Sequence, residues 1–299
     1  MAPSFAVIGA GRAGGTLAVL LADAGWAVTN LWSRSRGRAR TIARRIQGRT
    51  GMPAACPAAP GSALSPRPEL LILAVPDQSL ADMASGLAAA GADLTGTTAL
   101  HLSGATQVEV LAPLRGCGAT IGSLHPLSLL TGSAPAPEAL RGAGFAVAGD
   151  PPACKLARRM VRDLGGRLLP ISPRRRAAYH LGASLVANDT LALMHLAVDE
   201  LMTAGISESQ ARQSLAHLLE ATAKSVAASP VHMALTGPVV RGDLDTMKVH
   251  LQVAREPTER LHRLLSLVLL EVAQSGERLD PLAARRMRRL LAPKKDTRR

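Results

Sequence analysis

The chain has 299 residues, of which 47% are hydrophobic and only 2% aromatic, and its formal net charge is +13. This length accommodates two domains, and the hydrophobic share is sufficient for a core of mainly Leu, Val, Ala and Met side chains. The positive charge is spread over many helical stretches without interleaved aromatic residues, so we exclude nucleic acid and expect small anionic ligands instead.

The three cysteines, Cys56, Cys117 and Cys154, are far apart in the sequence. They have neither the spacing of zinc ligands nor the pattern of a disulfide framework, so we expect no metal site and a reducing, cytoplasmic environment. The apolar segment that begins at Phe5 is predicted to be a strand and not a signal peptide. We find no long uncharged span and expect no membrane partner.

Short β-like runs alternate with helical stretches over residues 1–171. The predicted strands are Phe5–Ile8, Val28–Trp32, Leu70–Val75, Thr98–Leu102, Thr120–Ser123, Phe145–Ala148 and Arg167–Ile171. This alternation is typical of an α/β, doubly wound and mostly parallel sheet.

Three glycines follow the first predicted strand in G-x-G-x-x-G spacing, and an Ala- and Leu-rich helical stretch begins directly after them. Gly9 permits the tight turn, Gly11 lets a pyrophosphate approach the backbone, and Gly14 lets the helix pack on the strand. Together with Arg12 and Ala13 they predict the phosphate-binding turn of a Rossmann-type dinucleotide domain. The alternative is a glycine-rich turn without a ligand.

The end of the second predicted strand selects the cofactor. An NAD-binding domain has an acidic residue here for the ribose 2′-hydroxyl, whereas this chain has Ser33, Arg34, Ser35 and Arg36. Because a guanidinium binds phosphate through its forked donors, we predict NADP(H). The alternative is that these arginines belong to a solvated surface run.

Further polar residues stand where ligands of open α/β sheets bind, beyond the carboxyl ends of the strands. The turn Ala74-Val75-Pro76-Asp77 and Ser103 are expected near the ribose or nicotinamide of the cofactor. Asp77 could equally cap the next helix, and His101 is interpreted as a buried structural histidine.

His125 follows the fifth predicted strand and precedes Pro126, which favours an extended backbone at the histidine. A rigidly held histidine at a strand end suits proton transfer or a hydrogen bond to substrate. The alternative is a structural turn histidine.

From Ser172 onward the β pattern disappears, which predicts an all-α domain over residues 172–292 and a flexible tail over 293–299. The predicted helices run from Pro173 to about Ala204, over Ser207–Ser229, from Thr246 to about Ser275 with a break near Pro257, and over Asp280–Leu291. Exposed apolar residues expected within Leu261–Val272 predict a homodimer through these helices.

Two polar groups of residues interrupt this helical domain. His180, Ser184 and Asn188 follow an i, i+4, i+8 spacing and form a stripe that faces either a ligand cleft or neighbouring helices. Thr236 and Arg241 lie in a break between helices, where Arg241 either binds a substrate carboxylate or pairs with Asp243 to brace a turn.

Four of these segments together resemble the bacterial Rossmann-like proteins that carry the domain of unknown function 2520. They are the N-terminal Gly-Ala-Gly-Arg-Ala-Gly, Leu124-His125-Pro126-Leu127, Tyr179-His180 with Asn188, and Leu235-Thr-Gly-Pro-Val-Val-Arg-Gly-Asp243. The resemblance extends to pyrroline-5-carboxylate reductase, ketopantoate reductase, prephenate dehydrogenase and the 6-phosphogluconate dehydrogenase-like group. It implies a nucleotide-binding domain, a 6-phosphogluconate dehydrogenase C-terminal-like helical domain that often dimerises, and an NADP-dependent oxidoreductase.

The resemblance also implies roles for residues of this chain. Several of these relatives carry a catalytic Lys four residues before an Asn, and Ser184 stands in that position if Asn188 is that Asn. This leaves His125 or His180 as the implied proton donor, with Asn188 orienting the substrate. Ser184, Thr236 and Arg241 are implied to contact it. We expect a small anionic substrate, with ketopantoate named first; a non-catalytic NADP(H)- or nucleotide-binding module and a prephenate-type oxidation are the alternatives.

Overall fold

The computed structural model describes residues 3–130 and 137–292. The chain divides into two compact units, Met1–Ala187 and Asn188–Arg299, which are described separately. This division falls later than the expected boundary near residue 171, because Arg176 is buried against the sheet of the first unit. The expected tail, 293–299, lies outside the described residues.

The first unit contains a seven-stranded sheet, among the described residues, with the order β2-β1-β3-β4-β5-β6-β7. The strands are β1 (Ser4–Ile8), β2 (Ala27–Trp32), β3 (Leu70–Leu73), β4 (Thr98–His101), β5 (Thr120–Leu127), β6 (Gly144–Gly149) and β7 (Arg167–Leu169). Only the β5–β6 pair is antiparallel. The predicted doubly wound, mostly parallel sheet is therefore confirmed.

Helices cover both faces of this sheet. They are α1 (Arg12–Asp23), α2 (Arg36–Thr50), α3 (Leu80–Ala89), α4 (Ala112–Arg115), α5 (Pro151–Asp163) and α6 (Arg176–Ser184). One core cluster joins the sheet to α1, α2 and α5, and a second joins it to α3 and α4. Both β3 and β4 are buried along their whole length; β3 is a continuous apolar run without alternation, whereas β4 carries Thr98 and His101 at its two ends.

Strand β5 is longer than predicted. Its parallel pairing with β4 ends at Ser123, but its antiparallel pairing with β6 continues to Leu127, so that His125 faces Ala146 in the ladder. The prediction that His125 follows the strand is wrong, since it lies within β5. Beyond Ser123, β5 no longer pairs with β4. Pro126 lies in this part of the strand, and proline is tolerated at such an edge because no neighbouring strand needs its missing N–H group.

Among its described residues, the second unit consists of helices joined by short connections. Its helices are α7 (Thr190–Thr203), α8 (Glu208–Ala228), α9 (Val231–Ala234), α10 (Pro238–Arg241), α11 (Leu244–Val253), α12 (Thr258–Ser275) and α13 (Pro281–Leu291). Its core cluster is formed by Val239, Met247, Leu270, Ala284, Met287 and Leu291. The predicted all-α character is confirmed, as is the break near Pro257, which separates α11 from α12.

The predicted helix from Pro173 to Ala204 is not uniform. A π-helical turn, Leu185–Asp189, separates α6 from α7. The wider turn breaks the i, i+4, i+8 geometry on which the polar stripe was predicted, and two of its three residues, His180 and Asn188, are exposed.

By length and composition, the continuous stretch Arg176–Thr203 could also cross a membrane. Its mean hydropathy is 1.4, and its apolar window is not buried within the described chain. Polar residues such as His180, Asn188 and Asp189 interrupt its apolar character, which is why no membrane span was expected here.

Candidate functional site

The glycine turn after β1 is closely packed at two positions and open at the third. A Cβ atom at Gly9 would lie 2.4 Å from the Ala74 carbonyl oxygen, and Gly9 has a φ of +105°. A Cβ at Gly14 would lie 2.2 Å from the Gly9 carbonyl oxygen. At Gly11, in contrast, the nearest such atom is 4.0 Å away. Gly9 and Gly14 are thus required by packing, whereas Gly11 borders free space.

Helix α1 begins at this open position. Gly11 is its N-cap residue and supplies no side chain to the first amide groups, and the first helical turn carries no acidic residue. The N–H groups at the start of a helix lack intrahelical partners and form a positive end of the helix dipole. Gly11, Arg12 and Ala13 therefore fit the phosphates of a dinucleotide.

The end of β2 lies next to the glycine turn, since the Gly9 and Ala10 N–H groups donate to the Trp32 carbonyl at 2.8 and 3.0 Å. Arg34 is exposed, and within the described chain it forms no ion pair. Ser35 is the N-cap of α2, where its hydroxyl accepts from the Arg38 N–H at 3.4 Å. Among the described residues, Ser33, Arg34 and Arg36 form no side-chain hydrogen bond or ion pair, so their side chains could contact a 2′-phosphate.

The turn after β3 is tied to the end of β4. The Ser103 hydroxyl donates to Asp77 Oδ2 at 2.6 Å and accepts from the Ala105 and Thr106 N–H groups. The alternative that Asp77 caps the following helix is wrong, because Ser79 occupies the N-cap position of α3. Ser103 is buried and its hydroxyl is already hydrogen-bonded. The Asp77–Ser103 pair therefore holds the Ala74-Val75-Pro76 turn in place and is less suited to bind a ligand directly.

His101 is fully buried at the end of β4. Its Nδ1 accepts from the Ser103 N–H at 3.2 Å, while Nε2 has no hydrogen-bond partner among the described residues. Burial, together with the nearby Arg176 cation, lowers the pKa of His101 to about 4. The structural interpretation of His101 is supported, with a neutral ring at physiological pH.

His125 is the centre of a cluster of ring side chains. Its Nδ1 lies 2.7 Å from the Tyr179 hydroxyl, and its ring centroid lies 6.3 Å from that of His180. A Cβ atom at Gly104 would lie 2.8 Å from His125 Nε2 and 2.8 Å from His180 Cδ2, so a side chain here would require one of the two rings to shift. Burial, then Arg176 and His180, lower the pKa of His125 to about 4.

Sequence reasoning missed Arg176, which is 1% exposed. Its Nη1 donates to the Ser123 hydroxyl at 2.9 Å and its Nη2 to the Ser103 carbonyl, so it joins the ends of β4 and β5 to α6. Burial lowers its pKa from the usual value. Arg176 is the third of three consecutive arginines in the sequence. The signal that distinguishes it is its spacing to Tyr179 and His180, which places the three side chains on one face of a helix.

The remaining predicted residues lie in the second unit or next to it. Ser184 is the last residue of α6, and Asn188 lies in the π-helical turn. Thr236 lines a cavity of about 410 Å³ formed with residues of α8, α9 and α12. Arg241 ends α10 and is exposed; its guanidinium lies 3.9 Å from Asp243, whose carboxylate caps α11 through Thr246.

Two family models match the chain. Residues 3–126 match a Rossmann-like domain, and residues 143–268 match the family described as Domain of unknown function (DUF2520). The two matched segments follow one another along the chain, and each covers less than half of it. The DUF2520 match covers β6, β7 and helices of both units, including Tyr179, His180 and Arg241. The resemblance inferred from the sequence motifs is confirmed.

Solved structures show the same fold at low sequence identity. A protein from Thermotoga maritima is 24% identical with a TM-score of 0.70, over 92% of this chain and 99% of that one. A protein described as an NADP oxidoreductase, from Bacteroides fragilis, is 21% identical with a TM-score of 0.68, over 90% and 98%. A pyrroline-5-carboxylate reductase from Coxiella burnetii is 12% identical with a TM-score of 0.58, over 97% and 99%.

No curated protein sequence matches the chain. The structural likenesses establish that the Rossmann-like and DUF2520 domains have the fold found in NADP-dependent reductases. They lie below the identity at which a shared substrate can be inferred, so the activity depends on the site itself.

Proposed function

We propose that the protein is an NADP(H)-dependent oxidoreductase that transfers a hydride to or from a small carboxylate-bearing carbonyl or imino substrate. The observation that carries this proposal is the arrangement of one sheet: an open phosphate-binding turn follows β1, and a cluster of proton-carrying side chains lies at the ends of β4 and β5. Ligands of open α/β sheets bind along this edge. The structures of NADP oxidoreductases with the same fold support the proposal.

The cofactor is assigned to residues of the first unit. Gly9, Gly11, Arg12, Ala13 and Gly14 would hold its pyrophosphate. Ser33 and Arg34 would contact a 2′-phosphate, with Ser35 positioned by its capping bond, and Ala74 to Asp77 and Ser103 would border the nicotinamide. When bound, the reduced nicotinamide supplies a hydride with its electron pair to the substrate carbon.

The chain's own residues would then position the substrate and supply a proton. His125 and His180 belong to the cluster that borders Gly104. We assign Asn188 to orienting the substrate and Arg241 to its carboxylate, because the exposed guanidinium can bind a carboxylate with two donors. Ser184 and Thr236 are further substrate contacts in this proposal, and a ketopantoate-like acid is the first substrate to test.

One observation favours the opposite reaction direction as a second candidate. A histidine with a pKa of about 4 is neutral at physiological pH and acts more readily as a base than as an acid. A prephenate-type oxidation, in which a base removes a hydroxyl proton, would use His125 in this form. Activity with NADP⁺ and a hydroxy acid, but not with NADPH and a keto acid or imine, would establish it.

We also propose a homodimer, which the exposed apolar residues of the long helices support, and a cytoplasmic location, which the three free cysteines suit. Leu191 and Val186 of the stretch Arg176–Thr203 are 62% and 75% exposed, and Leu264 and Val268 of α12 are 60% and 50% exposed. Such surfaces are rare on monomers of this size and are typical of subunit interfaces.

Calorimetric titration of the purified protein with NADPH and with NADH tests the cofactor assignment. We expect NADPH to bind more tightly, and Arg34→Ala to weaken NADPH at least about tenfold while leaving NADH nearly unchanged, since only NADPH carries the 2′-phosphate. Arg44→Ala, an exposed arginine farther along α2, is the matched control. If neither nucleotide binds, the proposed oxidoreductase activity is contradicted, and a non-catalytic module that binds another ligand becomes the favoured function. The presence of Ser184 at the position expected for a catalytic Lys would agree with that function.

A further inference from the structure

We infer that Tyr179 is the proton donor of this site and that Arg176 is the positioning residue that stabilises the ionised form of Tyr179. The inference rests on the proposed function for its substrate step. The coupling between Arg176 and Tyr179, in contrast, can be measured on the protein without cofactor or substrate.

Arg176 is a buried cation without an anionic partner. Its two terminal nitrogens donate to neutral acceptors, the Ser123 hydroxyl and the Ser103 carbonyl, and its Nε has no partner among the described residues. Within the described chain, no carboxylate lies within ion-pair distance of it. Asp77 attracts it at longer range, but that carboxylate already accepts from Ser103. A buried charge of this kind is costly unless an opposite charge forms nearby.

Tyr179 is the group in which that opposite charge can form. It lies three residues after Arg176 on the same face of α6, and its hydroxyl lies 2.7 Å from His125 Nδ1. Burial raises the pKa of the Tyr179 phenol, and the Arg176 charge acts in the opposite direction. A tyrosinate here would therefore be stabilised by the positive charge of Arg176 and could accept a hydrogen bond from His125 Nδ1–H.

His125 is less suited to give up a proton than Tyr179. Its pKa of about 4 leaves the ring neutral at physiological pH, and a neutral imidazole N–H is a very weak acid. Burial contributes most to lowering this pKa, followed by Arg176 and His180, both on α6, while Asp77 raises it. His125 thus fits the role of a neutral group that orients the Tyr179 hydroxyl.

In the direction of reduction, the substrate's carbonyl or imine carbon gains the hydride and its electron pair from the reduced nicotinamide. The electrons of the substrate's double bond then move to the oxygen or nitrogen. That atom forms a bond to the proton of the Tyr179 hydroxyl, whose O–H bond breaks and leaves the phenolate facing Arg176. A proton from water restores the phenol, and the oxidation would run through the same groups in reverse.

Alkaline titration of the ligand-free protein tests the coupling directly. Tyr179 is the only tyrosine of the chain, so the ultraviolet absorbance of ionised tyrosine reports this residue alone. We expect Arg176→Met to raise the pKa of Tyr179 by about one unit or more, the usual effect of losing a nearby opposite charge. Arg175→Met, an exposed neighbour, should leave that pKa unchanged.

Circular dichroism recorded along each titration shows whether the variant is folded. If Arg176→Met does not fold, Arg176→Gln replaces it, because its amide can still donate to the Ser103 carbonyl. A folded variant without the guanidinium in which Tyr179 ionises as in the wild type would overturn the role of Arg176.

The proton-donor role is tested with Tyr179→Phe. We expect kcat to fall about 10²- to 10⁴-fold, the usual contribution of a general acid, while NADPH affinity by calorimetry is unchanged. A Phe variant with the wild-type kcat would overturn the assignment. Wild-type protein that binds no NADPH would instead contradict the proposed function, and the titration would still decide whether Arg176 and Tyr179 are coupled.

Discussion

Gly11 and Gly14 belong to the same turn but have different surroundings. Replacing Gly14 should therefore affect the stability of the fold, and replacing Gly11 should affect the binding of NADPH. Gly14→Ala would place a methyl group 2.2 Å from the Gly9 carbonyl oxygen, whereas the space at Gly11 is open and its φ of −83° is ordinary. We expect Gly14→Ala to lower the free energy of unfolding by roughly 1–3 kcal/mol through overpacking. Gly11→Ala should leave stability nearly unchanged and weaken NADPH binding about tenfold or more.

Thermal unfolding and calorimetry of both variants measure these effects. A Gly11→Ala protein that binds NADPH normally would show that the phosphates do not approach this backbone. A Gly14→Ala protein as stable as the wild type would show that α1 does not pack on the turn as closely as described.

The buried His101 predicts an acid-sensitive fold. Its pKa is about 4 in the folded chain and near 6.5 when unfolded, so the unfolded state binds the extra proton first as the pH falls. The neutral His101 ring contributes up to about 3 kcal/mol to the free energy of unfolding. This contribution is complete above pH ~6.5 and is lost as the pH falls towards ~4. Urea unfolding at several pH values should show stability falling across this window.

The matched variants for this prediction are His101→Asn and His217→Asn. In His101→Asn the amide side chain would keep an acceptor for the Ser103 N–H but cannot titrate, so the pH dependence should shrink. His217 is exposed on α8, and its replacement should change nothing. Equal pH dependence in wild type and His101→Asn would contradict the assignment.

At the scale of elements, the long helix after residue 172 shows what the spacing of apolar residues can and cannot predict. Apolar spacing predicted one helix to Ala204, and helical structure does extend over most of that range. The π-helical turn Leu185–Asp189 leaves no mark in the sequence, because one widened turn changes the spacing of only a few residues. The side chains on either side of it are consequently rotated from the predicted faces.

The Thr236–Asp243 segment gives a prediction at the same scale. Asp243 Oδ1 accepts from the Thr246 N–H at 3.0 Å, which makes Asp243 the N-cap of α11. Asp243→Ala should therefore cost about 1 kcal/mol of unfolding free energy. Asp245→Ala, an exposed acidic residue in the first turn of the same helix, is the control and should cost less. Chemical denaturation measures both, and equal losses would contradict the capping assignment.

For the whole molecule, the exposed apolar residues of the long helices predict a dimer. We expect Leu191→Asp to shift the protein towards the monomer, because a charged side chain is costly in a desolvated interface. Leu129→Asp is the control, since Leu129 is 58% exposed but lies in the first unit. Sedimentation equilibrium distinguishes the two states. A wild-type protein that is monomeric at micromolar concentration would contradict the dimer.

Local patterns in the sequence were sufficient to predict the order of the elements and the glycine turn after β1. Each predicted strand has a counterpart in the sheet, and the most deeply buried of them, such as β3, appear in the sequence as apolar runs. The glycine spacing predicted the turn, because the positive φ of Gly9 and the close packing at Gly9 and Gly14 exclude other residues. These are local constraints, and a local pattern records them.

The tertiary structure decided which polar residues act together. The sequence separates Asp77 from Ser103 by 26 positions and His125 from Tyr179 by 54, yet both pairs form hydrogen bonds. Arg176 is one of three adjacent arginines, and it is the one whose side chain is buried against β5 and the end of β4. Burial and long-range pairing depend on how the elements pack, and no residue pattern along the chain records that.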